Sequence, residues 1–179
     1  MKGHKNILAL TVSALCLALA YVLPFLTGQI QQIGAMLLPM HIPVLLCGFI
    51  CGWKWGLGVG VIAPLLRSLC LGMPPFFPTA LCMALELAAY GAVAGSMHKL
   101  LPRKKLYIYC SLLTAMVVGR LIWGAARFVC MGIKGGSFTF AAFLSGALLN
   151  AIPGIIVQII LIPLLVMILD NPKVLKLRD

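Results

Sequence analysis

The sequence alternates long apolar stretches with short polar or basic loops, and this alternation constrains the fold more than any motif does. Six apolar stretches stand out, at about residues 7–26, 37–52, 55–71, 78–97, 107–131 and 140–169. A helix of roughly 20 apolar residues crosses the ~30 Å hydrocarbon layer of a bilayer. Each stretch therefore reads as a membrane span, the second of them short, with Pro39 and Pro43 near its start. Composition agrees: 63% of residues are hydrophobic and 9% charged, against about 25% charged in ordinary soluble domains. Lipid must solvate much of such a chain. The expected fold is all-α, a single polytopic membrane domain over residues 1–179 built as a bundle of six transmembrane helices. Too little chain remains for a nucleotide-binding fold, and no Gly-x-x-x-x-Gly-Lys-Ser/Thr loop occurs. Any step driven by ATP must borrow its ATPase.

A formal charge of +11 invites comparison with nucleic-acid binders, but the basic residues cluster in loops and not on one face. On one side of the six spans fall Lys2, Lys5, Lys54, Lys99, Arg103, Lys104, Lys105, Lys173, Lys176 and Arg178, ten residues against Lys134 alone on the other. This bias places both termini in the cytoplasm, with Trp53 and Trp55 beside Lys54 as interfacial anchors. The apolar run after Lys2 and Lys5 is longer than a signal-peptide core, so it reads as a retained first helix. The seven cysteines lie in or beside apolar stretches without a Cys-x-x-Cys pair, as small buried hydrophobes do. The proline-rich segment 72–78 is expected to interrupt the helices.

Three arginines and one glutamate remain inside spans: Arg67, Arg120, Arg127 and Glu86. Each costs about 2.5–3.5 kcal/mol on insertion scales, and the topology puts all four in the outer half of the membrane, on three helices. Arg120, Trp123 and Arg127 share one face of span five, and Tyr90 lies one turn below Glu86. His41 is the only histidine away from the cytoplasmic side. On span six, Gly146, Asn150 and Gly154 form a small and polar stripe, with Pro153 loosening the helix. One carboxylate cannot neutralise three guanidiniums. The surplus points to an outward polar cavity preferring an anionic or carboxylate-bearing ligand; the alternative is that Glu86 pairs with one arginine while the others snorkel to the interface. No nucleophile, metal set or acid–base pair is evident, so neither an enzyme nor a cofactor is expected.

Small residues carry a second signal. Gly48, Gly52, Gly56 and Gly60 recur every fourth residue, a spacing that lets helices approach closely. On span one, Ala9, Ser13, Cys16 and Ala20 make one small-residue stripe, and Ala14 with Ala18 makes another. One of the two faces is available for a partner helix in the membrane.

The chain resembles the substrate-binding S components of energy-coupling factor (ECF) vitamin transporters. The resemblance runs through the small-residue first helix, His41-Ile42-Pro43, Gly52-x-x-x-Gly56, Pro64-Leu65-Leu66-Arg67 and Gly72-Met73-Pro74-Pro75. It continues in Glu86-Leu87-x-x-Tyr90-Gly91 and Asn150-Ala151-Ile152-Pro153-Gly154. Trp53 stands where the family's turn often has proline. The resemblance implies a multi-pass protein of the bacterial plasma membrane that captures a water-soluble vitamin from outside. It implies a pocket in the outer half, closed by the loops between spans one and two and between three and four, with His41, Arg67, Glu86, Tyr90, Arg120, Trp123, Arg127 and Asn150 as candidate ligand contacts. It also implies a membrane T component bound through span one, by Ala14 and Ala18 or by Ala9 and Ser13, and two cytoplasmic ATPase subunits. Surplus arginine favours a carboxylate such as pantothenate over a cationic vitamin. A stand-alone secondary carrier and a non-transporting membrane scaffold are the alternatives.

Overall fold

The structure, a computed structural model, describes residues 2–27, 36–102, 104–136, 139–147 and 149–169. Helix α1, Lys2–Val22, runs into a 3-10 turn at Leu23–Thr27, and α2 is His41–Cys51. Helix α3, Trp53–Leu71, is followed by a π turn at Phe76–Ala80 that leads into α4, Leu81–Leu100. Helix α5 is Lys105–Ile133, α6 is Phe140–Ala147, and a 3-10 turn at Leu149–Ala151 precedes α7, Ile152–Leu169. No strand occurs among the described residues. The loop between the first two spans, with Gln29, Gln31 and Gln32, lies outside the described residues, as do Arg103 and the basic C-terminal segment.

Among the described residues, five segments are long and apolar enough to cross a membrane: Lys5–Leu26, Trp53–Leu71, Phe76–Leu100, Lys105–Ile133 and Ile152–Leu169. The second expected span is shorter than the sequence suggested. Its helix has 11 residues, about 16 Å at ~1.5 Å per residue. Both ends are fixed by the backbone. Leu38 takes a positive φ of 50°, costly for a branched residue, and Pro39 sits in the turn that follows, so the helix starts only at His41. Pro43 lies in the first turn, where its missing N–H needs no partner. Gly52, at φ 94°, then swings the chain directly into α3.

The last expected span is also corrected. Residues 140–169 form two helices rather than one, broken around the 3-10 turn, with Pro153 in the first turn of α7. Proline disfavours helix in the residue before it, which accounts for a fresh start near Ile152. The Gly146, Asn150 and Gly154 stripe therefore does not lie on one helix face. The proline-rich segment behaves as read: residues 72–75 are not helical, and Phe77, just before Pro78, is extended at φ −116°, ψ 131°.

The bundle is apolar outside and polar within. Leu10, Leu15 and Leu19 on α1, Leu113, Val117 and Leu121 on α5, and Ile156, Ile160 and Leu164 on α7 are all exposed. Ser13, His41, Arg67, Glu86, Ser111 and Gln158 are all buried. Water would not tolerate so large an apolar exterior; a bilayer requires it. Four of the cysteines (Cys16, Cys47, Cys82 and Cys130) are buried as expected, whereas Cys70 and Cys110 face outward with the apolar surface.

Helices α2, α3 and α4 meet along a glycine seam. A Cβ on Gly91 would strike the backbone of Gly56, one on Gly48 the carbonyl of Gly91, and one on Gly60 the carbonyl of Leu87. Gly95 packs against the turn at Gly52 and Trp53, where a Cβ would lie 2.5 Å from the Trp53 nitrogen. The four-residue glycine spacing thus works through two glycines on α4 that complete the contact. Helix α1 packs on α2 and α3, and α7 packs on α2 and α5. One core cluster, with Cys16, Ala20, Val44, Val59 and Leu87, joins α1 to this seam. The other, with Leu45, Phe49, Tyr90, Leu112, Ile162 and Val166, joins α2, α4, α5 and α7.

Candidate functional site

Helix α4 places Glu86 and Tyr90 one turn apart on its inner face, both at most 2% exposed. The late start of α2 brings His41 to the same depth, anchored by its N–H donating to the Leu38 carbonyl at 3.1 Å. On α5, Gly119 leaves room for the Tyr90 ring, which a Cβ there would strike, and the next residue, Arg120, reaches Glu86. Arg120 Nη1 lies 2.9 Å from Glu86 Oε1, and His41 Nε2 lies 3.3 Å from the same oxygen. The His41 ring meets the Tyr90 ring edge-on, centroids 5.0 Å apart. Three helices thus converge on one carboxylate.

The cluster is close but not saturated. Glu86 Oε1 has partners within ion-pair range but none in hydrogen-bond geometry, and both ring nitrogens of His41 are likewise without a hydrogen bond. Arg120 keeps two buried donors, Nε and Nη2, without a partner. These two N–H groups lie on one edge of the guanidinium plane, the fork that grips a carboxylate with two parallel bonds. Buried donors left empty cost about 1–3 kcal/mol each, so a fold carries such a group only where something else repays it.

The other candidates go elsewhere. Arg67 donates from Nη1 to the Tyr21 carbonyl at 2.8 Å and stacks over Phe25, 5.0 Å from the ring centroid. It closes the end of α1 onto α3 and makes no ion pair with Glu86 among the described residues. Arg127 donates to Thr79 Oγ1 at 3.3 Å, tying α5 to the turn before α4. Trp123 stacks on Phe143 at 6.3 Å and covers Gly146, so it holds α6 against α5. Asn150 is exposed in the 3-10 turn before α7. The surplus of guanidinium over carboxylate is thus dispersed: one arginine binds backbone, one a hydroxyl, and only Arg120 enters the cluster.

Sequence reasoning passed over two residues. Thr79 was legible only as a helix start. Gln158 is fully buried, and both its amide nitrogen and its amide oxygen lack a hydrogen-bond partner. Its signal was available: it is the only polar side chain between Ile155 and Leu169. Among the described residues no group of three His, Cys, Asp or Glu side chains could hold a metal ion.

On span one the two small-residue stripes part company. Ala9 and Ser13 are buried, Ser13 accepting a weak bond from Cys47 at 3.4 Å, whereas Ala14 and Ala18 are exposed. Comparison with curated proteins and with solved structures finds no match. The family model described as "ECF transporter, substrate-specific component" matches residues 8–166, a stretch that includes every helix contributing to the cluster. This multi-pass chain, apolar outside with an unsaturated polar cluster within, belongs to the substrate-specific components of ECF transporters: it is a substrate-binding membrane subunit and not an enzyme.

Proposed function

We propose that the substrate is a small carboxylate-bearing molecule, a water-soluble vitamin or related micronutrient of the pantothenate kind, held through the open edge of Arg120. The observation that carries this reading is the pair of unpartnered buried donors, Nε and Nη2, on a guanidinium already steered by Glu86. Glu86 fixes the orientation of Arg120 through Nη1. A ligand carboxylate accepts from the other edge, so binding adds two charge-assisted bonds without breaking the internal pair. His41 shares Glu86 Oε1 with Arg120 and is packed edge-on against Tyr90. Arg127 and Trp123, on the same helix, and Asn150 stand as secondary contacts, while Arg67 serves the site indirectly by closing α1 over α3.

In this account the chain crosses a bacterial plasma membrane six times, the short α2 among the crossings, with both ends cytoplasmic. The site then opens outward. A T component docks on the exposed face of α1 carrying Ala14 and Ala18, since Ala9 and Ser13 are used inside the bundle. Two cytoplasmic ATPases drive the T component, and the chain itself performs capture without chemistry. The test is mass spectrometry of small molecules released from the purified protein. A carboxylic acid is the expected outcome; a purely cationic or uncharged molecule would remove Arg120 from the role given to it.

A further inference from the structure

Gln158 supplies a second recognition point whose chemistry narrows the ligand further. On α7, Gly154 lies against the backbone of Met36 and Leu37, a Cβ there falling 2.6 Å from the Met36 carbonyl oxygen. Two turns on, Ile162 joins the core cluster that holds Leu45, Leu46 and Tyr90. Helices α2 and α7 therefore run side by side in the same direction. Gln158, one turn from Gly154 and one from Ile162, shares the face that packs on α2, and this register sets it across from the helix start that carries His41. Its amide is fully buried, and neither the donor nor the acceptor has a partner. A buried amide with both ends empty is costly, and a leucine would fill the same space without that cost.

We infer that Gln158 is a specificity-determining residue of the ligand site: it reads a paired donor and acceptor, an amide or hydroxyl-bearing edge, on the acid whose carboxylate Arg120 holds. The inference rests on the carboxylate reading of Arg120. The ligand class becomes a small acid with a neutral hydrogen-bonding group at a distance from its carboxylate. Simple fatty or aromatic acids would leave the amide unpaired, and a site built to hydrogen-bond a polar group rejects analogues lacking it.

The test uses the full chain in detergent, wild type and Gln158→Leu. The molecule released from the wild type is identified and titrated back into both stripped proteins. Affinity in the variant is expected to fall ten- to a hundredfold, while the ligand-free variant melts no lower than the ligand-free wild type. Equal affinity overturns the inference. So does a variant that misfolds or melts lower, because the amide would then be serving the fold. An acid with no further hydrogen-bonding group overturns the role of Gln158 and leaves that of Arg120 standing. A released molecule that is not an acid, or a wild type that carries none, overturns both.

Discussion

Along one face of α4, Gly91 and Gly95 bring its backbone against α2 and α3; toward α5, the same helix holds Glu86 and Tyr90 in a cluster with unused hydrogen-bonding capacity. The first region is finished. Its contacts are backbone against backbone, and no side chain can be added without moving a helix. The second is unfinished by the standards of a protein interior, where nearly all buried polar groups are paired. Placing them on one helix has a consequence: the seam holds Glu86 and Tyr90 relative to His41, and Glu86 in turn orients Arg120. Preorganisation of this kind lowers the entropy that a ligand must lose on binding.

Substitution can break this contrast, and the largest effect belongs to the seam. Gly91→Leu would drive a side chain into the Gly56 backbone, with no flexible group able to yield. Destabilisation beyond about 3 kcal/mol is expected, seen as loss of a monodisperse peak on size-exclusion chromatography in detergent; a well-behaved variant would show that the helices can part. A smaller and more selective effect is expected on the exposed face of α1. Ala14→Trp together with Ala18→Trp should prevent copurification with the T component while leaving ligand affinity within about twofold, since neither residue packs inside the bundle. Retained assembly would move the docking face elsewhere. Smallest of all is Gly58→Ala. This residue lies on α3 between Gly56 and Gly60, yet a Cβ there meets nothing within 4 Å. Alanine should be neutral or stabilising by up to about 1 kcal/mol, read from the thermal melt, and a clear loss would blur the line between seam and surface.

The apolar stretches made the helical membrane fold legible, because a bilayer imposes length and polarity on every span that crosses it. The breaks were harder to see. The start of α2 depends on the positive φ of Leu38, and the division of the last stretch on a turn before Pro153; both are backbone choices that hydropathy does not encode. In the site, a lone carboxylate among arginines announced Glu86 and Arg120 because charge in lipid is expensive. The destinations of Arg67 and Arg127 were not legible. A guanidinium is satisfied equally by a carboxylate, the Tyr21 carbonyl or the Thr79 hydroxyl, and only the helix packing decides which is within reach. Gln158 escaped notice for the opposite reason: a neutral amide carries no charge signal, and its importance comes from what fails to pair with it. The alternative readings as a carrier or scaffold give way to the family match over residues 8–166.

The central claim is that the empty edge of Arg120 binds a carboxylate, and isothermal titration of Arg120→Ala and Arg120→Lys with the acid released from the wild type tests it most directly. The account predicts a loss of roughly a hundredfold or more for alanine. Lysine should recover only part of that loss, because an ammonium keeps the charge but not the paired fork. Affinity unchanged in the alanine variant, with the protein still folded, would contradict it.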